Sequence, residues 1–518
     1  MTSTEMPAVP VGRGRWWALA ALGLAMLAVG LDVTILNVAL PTMSGELNAG
    51  LSDLQWFADG YTLAMAAMLL PAGLLGDRFG RKRILLGALV VFGAASTWCA
   101  FADSPGELIA ARVALGVAAA FVTPLGTSVF LVLFPEPAER TRAMAVTSSA
   151  MMIGLPLGPI LGGLLLKHFW WGSVFLINVP LVLIGLVAVA ILVPESRNPR
   201  RPRLDLVGVL GASAGLVALT YGVIEAGEKG WGSAYTLVPL VGGVVVLAGL
   251  VAWERRVRDP LVDLRLFRSR GFAWGSLFSV LVSFAMFGLM FFLPLYYQAV
   301  QGSDTLGTGL KLLPMIGGVL IGASVAGRLP ATVGSRTVPA VGFGLAALGL
   351  FLGATTSLTT GYGFTAVWLV IMGAGLGLAM TRTMTAALND LSTEAGGVGS
   401  ALLQALRSVG GAIGVALLGT FANSGYRDHL DLPATLPGPA AEAVRGSVSA
   451  GVTVAKKIGD PALLDSVRSA FVHAMDTTLW VCGGIAAVSA LLAAIFLGVR
   501  VGRTEAEDRP SELTATRR

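Results

Sequence analysis

Residue composition predicts an all-α protein that crosses a lipid bilayer many times. Of the 518 residues, 55% are hydrophobic and only 13% are charged, and the mean hydropathy is +0.77; soluble domains do not combine these values. A helix needs about 20 mostly apolar residues to cross the hydrocarbon core. Apolar runs of spanning length occupy 16–41, 54–75, 84–102, 107–134, 143–166, 174–194, 205–225, 236–253, 272–297, 311–329, 338–356, 362–383, 399–421 and 475–499. The sequence therefore predicts a polytopic membrane protein with fourteen transmembrane helices.

The basic residues indicate how these helices are oriented. Cations follow the even-numbered runs, among them Arg78, Arg81, Lys82, Arg83, Arg140, Arg142, Arg197, Arg200, Arg201, Arg203, Arg255, Arg256, Arg328, Arg336, Arg500 and Arg503. The alternate connections carry mainly acids. Because cytoplasmic loops are enriched in Lys and Arg, both termini are predicted to be cytoplasmic. Arg outnumbers Lys 30 to 6 in a chain rich in Ala and Gly, which points to the plasma membrane of a GC-rich bacterium.

Several classes of function are disfavoured. The net charge of +6 comes from short clusters between apolar runs, so no nucleic-acid partner is expected. No phosphate-binding loop motif is present, so no ATP use is expected. His168, His429 and His473 are predicted to lie outside and unclustered, and Cys99 and Cys482 lack metal-ligand spacing. We therefore expect no enzyme activity, no metal and no cofactor other than a proton gradient.

A weak internal repeat suggests two six-helix halves. The segment 73–82 after the second run and the segment 327–336 after the tenth share glycines, a leucine and a terminal cation. The predicted domains are an N-terminal bundle (1–195), an inserted two-helix linker (196–271), a C-terminal bundle (272–500) and a cytoplasmic tail (501–518), a 6+2+6 arrangement. The proline-containing stretch 422–473 is predicted to be an extracellular cap with short helices; a gate or partner-binding element is the alternative.

Asp32 is the most informative single residue because it lies inside an apolar run. Ionisable groups within spanning helices are costly and mark ion or substrate pathways. Thr34 and Asn37 add two polar groups within two turns. At about 1.5 Å per residue, Asp32 lies roughly 13 Å and Arg112 roughly 9 Å below the outer ends of their helices. We expect the two charges to pair, which would let proton and substrate compete for Asp32; snorkelling of Arg112 to the surface is the alternative.

Further candidates carry weaker signals. Asp59 and Glu225 lie near the outer ends of their helices, where either could couple to transport or simply be hydrated. Arg407 in the thirteenth run is another candidate for coupling or substrate binding. Aromatic side chains crowd the ninth run and could bind flat apolar ligands, although packing or lipid contact also explains them. The aromatic pocket candidates are Phe284, Phe287, Phe291 and Tyr297.

Two glycine-rich stretches are predicted to shape the bundle. The first is a tight cytoplasmic turn over 73–82, a candidate gating loop or a plain solvated basic loop, with Gly73, Asp77, Arg78, Gly80, Arg81 and Lys82. The second inserts prolines and glycines into the fifth run, which permits a kink and close helix contact. Its motif residues are Gly154, Pro156, Gly158, Pro159, Gly162 and Gly163.

Together these motifs resemble the major facilitator superfamily, and specifically its fourteen-helix drug/proton antiporter branch. The stretch 73–82 is similar to the cytoplasmic loop signature, and Leu108, Arg112, Gly116 and Ala120 are similar to the helix-four signature, which implies proton coupling by Arg112. The stretch 154–163 resembles the helix-five signature of exporters. Asp32 with Asn37 and Pro41 resembles the first-helix signature of the same branch.

Two departures from the family pattern are visible. Leu115 stands where the helix-four signature usually has a polar residue, and Ala331 stands where the second half of many relatives has an acid. The hydrogen-bond network and the second gate are therefore expected to differ. The tenth run also carries no acid, unlike that of some relatives that export dications, so no strong preference for divalent organic cations is expected.

The resemblance implies a proton-coupled exporter of hydrophobic or amphipathic drugs, antibiotics or secondary metabolites that works as a monomer. An importer or metabolite transporter of the same fold is the first alternative, and a non-transporting membrane sensor is the second. The residues do not identify the substrate.

Overall fold

The computed structural model describes residues 14–134, 139, 154, 157–196, 205–257, 260, 262, 264–329, 336–389, 396–433 and 436–497. Within these ranges every regular element is a helix, which confirms the predicted all-α class. The helices are α1 (Gly14–Glu46), α2 (Leu51–Phe79), α3 (Arg81–Ala100), α4 (Pro105–Leu133), α5 (157–168), α6 (Ser173–Leu176), α7 (Asn178–Leu192), α8 (Leu206–Lys229), α9 (Ala234–Glu254), α10 (Arg270–Leu295), α11 (Thr305–Arg328), α12 (Thr337–Gly353), α13 (Tyr362–Asn389), α14 (Gly396–Asp428), α15 (Gly438–Gly446), α16 (Val448–Ile458) and α17 (Pro461–Phe496).

Eleven helices in this part of the chain are long and apolar enough to cross a membrane, and α12 is a shorter apolar helix of 17 residues. A 3-10 helix (Leu264–Arg268) precedes α10, and a π-helix (Tyr296–Val300) continues it. The predicted total of fourteen spans stays a prediction.

Glycines set the closeness of the main helix pairs. Gly116 of α4 is so close to α2 that a Cβ there would overlap the carbonyl oxygen of Tyr61, and Gly373 of α13 stands in the same relation to Met315 of α11. Small residues allow such close backbone approach between membrane helices. We call α1–α7 the N half and α10–α17 the C half; α2 with α4 and α11 with α13 are matching pairs in the two halves.

The glycines near the end of α2 lie in a different local structure from the predicted one. The prediction of a tight turn over 73–82 is wrong in extent, because α2 continues through Phe79 and only Gly80 separates it from α3. Gly80 has φ +112°, a backbone conformation that residues with a side chain rarely adopt. Gly76 is helical and packs against Leu125 of α4, so packing explains that glycine.

The polar stretch before the last helix is more ordered than a loop. α14 continues to Asp428, α15 and α16 follow, and α17 begins at Pro461, before the predicted start at 475. The predicted short helices are therefore present, but the predicted loop 422–473 is too long. The rings of His429 and His473 also lie with their centroids 4.0 Å apart, tilted by 39°, so the prediction that the histidines are unclustered is wrong for this pair.

The inserted helices attach to the C half through α8. Thr420 Oγ1 donates to the carbonyl of Val223 (2.8 Å), and Asn423 Nδ2 donates to that of Gly227 (3.2 Å). Both donors are buried. Helix α9 packs on α8 and exposes a broad apolar face, as expected for a helix in contact with lipid.

Candidate functional site

Asp32 and Arg112 form a buried ion pair in the N half. Arg112 Nη1 lies 2.5 Å from Asp32 Oδ2, and the two side chains are 1% and 0% exposed. The predicted pairing is thereby confirmed, and the snorkelling alternative is wrong for Arg112. Two opposite charges withdrawn from solvent stabilise each other only when further hydrogen bonds satisfy them.

The remaining contacts of Arg112 come from α2 and α6. Its Nε donates to the carbonyl of Phe57 (2.8 Å), and its Cζ lies 4.5 Å from the ring centroid of Tyr61 and 5.8 Å from that of Phe175. The close α2–α4 approach at Gly116 brings these groups within reach. The guanidinium is therefore held by a carboxylate, a carbonyl and two aromatic faces, a planar geometry that an ammonium does not reproduce.

The second oxygen of Asp32 is bound by Asn178, which the sequence reasoning did not select as a site residue. Asn178 Nδ2 donates to Asp32 Oδ1 (3.2 Å) and approaches Ser96 Oγ (3.4 Å). Both partners are fully buried. The available signal was that Asn178 is the single amide in the apolar stretch 173–192. Because both groups donate to Asp32, the site fits an ionised carboxylate.

Thr34 and Asn37 lie near Asp32 on α1 but do not join this cluster. Thr34 Oγ1 lies 3.3 Å from the carbonyl of Leu31, and Asn37 Nδ2 donates to that of Val33 (3.0 Å). Each thus donates to a carbonyl of its own helix, a common arrangement for a polar residue in an apolar helix.

The glycine motif of α5 packs against both halves. Gly154, Gly158 and Gly162 face α1, where a Cβ at Gly158 would overlap Thr34 Oγ1. Gly163 faces α11, and its carbonyl accepts a hydrogen bond from Thr305 Oγ1 (3.2 Å). α5 thus lies at the contact between the N half and the C half. Pro156 lies outside the described residues.

We expect Gly158→Val to disrupt this packing and to lower transport strongly. The added side chain overlaps Thr34 and the α1 backbone, and overpacking typically costs about 1–3 kcal/mol. The Tm in detergent and the transport rate in membrane vesicles measure the effect. Gly87→Val is a matched control, because Gly87 of α3 has no neighbour within 4 Å of an added Cβ. Equal behaviour of the two variants would contradict the packing role.

Asp59 and Glu225 have unlike surroundings. Asp59 is fully buried on α2, and neither of its carboxylate oxygens has a hydrogen-bond partner among the described residues. Glu225 Oε2 lies 2.7 Å from Lys229 Nζ one turn along α8. Since no contact joins either acid to Asp32 in this part of the chain, the structure leaves both outside the ion-pair cluster.

Arg407 lies in the C half where α10, α13 and α14 meet. Its guanidinium lies 3.4 Å from Ser283 Oγ, 3.3 Å from Gln404 Oε1 and 3.6 Å from Met380 Sδ. It is half-buried. It is therefore not part of the Asp32 cluster.

The aromatic candidates of α10 are mainly packing residues. Phe291 and Tyr297 are fully buried and Phe284 is 9% exposed. Phe287 is half-buried and lies against Gly411 of α14. The packing explanation thus holds for Phe291 and Tyr297, whereas Phe287 keeps an accessible surface.

The segment after α2 is anchored to the end of α7 by Glu195. Lys82 N donates to Glu195 Oε1 (3.2 Å), Arg83 Nε lies 3.6 Å from Glu195 Oε2, and Arg81 N donates to the carbonyl of Ser196 (3.0 Å). Arg78 is exposed, with its guanidinium over the Phe79 ring. Gly73 is helical with open space beside it. The predicted role of Asp77 concerns a side chain outside the described residues.

The two halves touch at the end of the bundle opposite the start of α1, which we call the distal end. Gln55 Nε2 donates to the carbonyls of Val415 (3.2 Å) and Ala416 (2.9 Å) of α14. Gln298 Nε2 of the π-helix donates to that of Val38 of α1 (3.0 Å). These bonds join the halves at the distal end.

Comparison with known proteins agrees with this architecture. The Major Facilitator Superfamily model matches residues 22–415. The chain is 34% identical over 495 residues to the tetracenomycin C resistance and export protein of Streptomyces glaucescens, covering 93% of this chain and 91% of that protein. It is 32% identical over 497 residues to the multidrug efflux pump LfrA of Mycolicibacterium smegmatis, covering 94% and 96%.

A solved structure shares the fold. The bacterial homologue of the human lysosomal transporter Spinster, in an inward-facing and unoccupied conformation, aligns with a TM-score of 0.66 and 18% identity, covering 93% of this chain and 97% of that chain. The chain belongs to the major facilitator superfamily. It is accordingly a multi-pass membrane transporter of small molecules.

Proposed function

We propose that this protein is a proton-coupled exporter of hydrophobic or amphipathic compounds, such as drugs, antibiotics or secondary metabolites. Relatives that match nearly the whole chain carry export and efflux in their names. The observation that carries the coupling proposal is the buried Asp32–Arg112 pair, because a membrane-embedded carboxylate with a displaceable cation is a chemically sufficient proton site.

The proposed exchange uses the contacts of Asp32. In the described state, Arg112 and Asn178 bind the ionised carboxylate. A proton that reaches Asp32 removes its charge and weakens its attraction for the guanidinium, which frees Arg112 and alters the α1–α4 contact. Loss of that proton restores the pair. Substrate and proton thereby favour different arrangements of the same helices, and no covalent step or nucleotide is needed.

The proposed topology has fourteen spans in a 6+2+6 arrangement with both termini in the bacterial cytoplasm. The eleven helices of spanning length are joined in this proposal by α2, α5 and the shorter α12. The cation clusters that follow the even-numbered apolar runs support the orientation, and the matching glycine-packed pairs support two halves. We propose that a monomer is the functional unit, because side chains and a carbonyl of the same chain satisfy the buried charges of Asp32 and Arg112.

Exchange in proteoliposomes tests this function. Liposomes carry the protein and contain the pH-sensitive dye pyranine in their lumen. Tetracenomycin C, an aromatic anion and an aromatic cation are added outside in separate experiments. We expect the lumenal pH to rise for at least one compound, because substrate entry expels protons. Protein-free liposomes of the same lipid are the control. Substrate movement without any pH change would contradict proton coupling, and movement of none of the compounds would contradict export.

A further inference from the structure

Arg407 differs from Arg112 in the quality of its contacts. Arg112 holds a carboxylate at 2.5 Å and a carbonyl at 2.8 Å. The three contacts of Arg407 are longer, at 3.3 to 3.6 Å, and their acceptors are a hydroxyl, an amide oxygen and a thioether sulfur. A guanidinium has five N–H donors, so Arg407 retains bonding capacity for a further acceptor.

Among the described residues, Arg407 has no acidic partner. No Asp or Glu lies within 4.0 Å of its guanidinium in the described ranges. Moreover, the sequence contains neither Asp nor Glu over residues 270–303, 305–389 and 396–427. In the N half, by contrast, Asp32 is already bound to Arg112. A cation inside a spanning bundle that remains half-buried and unpaired marks a space that water or a ligand enters.

An aromatic surface lies one helical turn from this cation. Ser283 and Phe287 are one turn apart on α10, as are Arg407 and Gly411 on α14. Phe287 Cδ2 lies 2.8 Å from the position of a Cβ on Gly411, so the absence of a side chain at Gly411 makes room for the ring. Polar groups at Arg407, Ser283 and Gln404 therefore adjoin an accessible aromatic face at Phe287, with Met380 Sδ beside the guanidinium.

We propose that Arg407 binds the acidic group of the substrate, and that the transporter prefers amphipathic aromatic anions over aromatic cations. This inference rests on the proposed export function and specifies its substrate class. A carboxylate, sulfonate or phenolate supplies the charged acceptor that Arg407 lacks among the described residues, and a guanidinium binds the two oxygens of a carboxylate with two parallel hydrogen bonds. The attached ring lies along Phe287, where stacking and burial of apolar area stabilise it.

Binding to the purified full-length protein in nanodiscs tests this proposal without any proton gradient. The probes are 8-anilinonaphthalene-1-sulfonate, an aromatic anion, and ethidium, a flat aromatic cation, with empty nanodiscs of the same lipid as the blank. We expect the parent protein to bind the anion more tightly. We expect Arg407→Gln to raise the Kd for the anion about tenfold or more, equivalent to about 1.4 kcal/mol per factor of ten, while the Kd for ethidium stays the same or falls.

Two further variants separate recognition from folding. Arg407→Lys keeps the charge but not the planar guanidinium, so we expect a loss of anion binding smaller than that of Arg407→Gln. If Arg407→Gln aggregates, the anion affinity of Arg407→Lys tests whether Arg407 binds the anion. Arg382→Gln removes another cation of the C half, whose Nη2 already bonds the carbonyl of Leu329 (2.6 Å); its anion affinity is expected to be unchanged.

Several results would overturn the proposal. These are equal weakening of both probes in Arg407→Gln, unchanged anion binding in that variant, or tighter binding of ethidium by the parent. A protein that passes this binding test but moves no compound in proteoliposomes would contradict export alone, so the two failures are distinguishable.

Discussion

Asp32→Asn is expected to reduce pH-gradient-driven transport to background while the protein stays folded in the membrane. Asparagine retains an oxygen that accepts from Arg112 and has nearly the volume of aspartate, but it takes up no proton at any working pH. Everted membrane vesicles energised to acidify their lumen measure the rate, and size-exclusion chromatography in detergent checks folding. Asp32→Glu keeps a carboxylate and is expected to recover part of the activity.

The matched control is Asp465→Asn, which makes the same chemical change at an exposed position of α17. Its transport rate is expected to equal that of the parent. Normal gradient-driven transport by Asp32→Asn would refute the assignment of Asp32 as the proton site, whatever its effect on substrate affinity.

Arg112→Lys is expected to impair both stability and transport. Lysine loses the bond from Nε to the carbonyl of Phe57 and the flat contact with Tyr61, and a lost hydrogen bond to a charged group costs about 1.5–3 kcal/mol. Thermal unfolding in detergent should show a lower Tm. Transport should fall because the ammonium group of the shorter lysine side chain pairs with Asp32 in a different geometry.

Arg445→Lys on α15 serves as its control, since that side chain is exposed. A Tm and transport rate for Arg112→Lys that match those of this control would show that charge alone, and not the planar fork, is what the site requires.

The Asp32–Arg112 pair was predictable because charges inside apolar runs are few and costly, so counting residues from the helix ends places them at comparable depths. The contacts of Asn178 with Asp32 and Ser96 were not predictable, because a lone polar residue in an apolar helix does not reveal which neighbour it faces. The same limit applies to glycines: Gly76 and Gly80 look alike in sequence, and only the presence of Leu125 beside one and a positive φ at the other separates packing from turning.

Helix ends were harder to predict than helix interiors. Hydropathy reports the apolar portion of a helix, whereas α17 begins with a polar segment capped by Asp460, whose carboxylate accepts from the backbone of Ala462 and Leu463. A capped polar turn extends a helix beyond the membrane without changing its apolar core. The predicted start at residue 475 therefore marks the apolar part and not the helix.

Three of the hydrogen bonds that join the two halves share one property with consequences for how such a transporter diversifies. Gln55, Gln298 and Thr305 each donate to a main-chain carbonyl, on α14, α1 and α5 respectively. A main-chain carbonyl remains available as an acceptor when the residue that carries it is substituted. Side chains on the accepting helices can therefore change, and with them the selectivity, while these hydrogen bonds between the halves are kept.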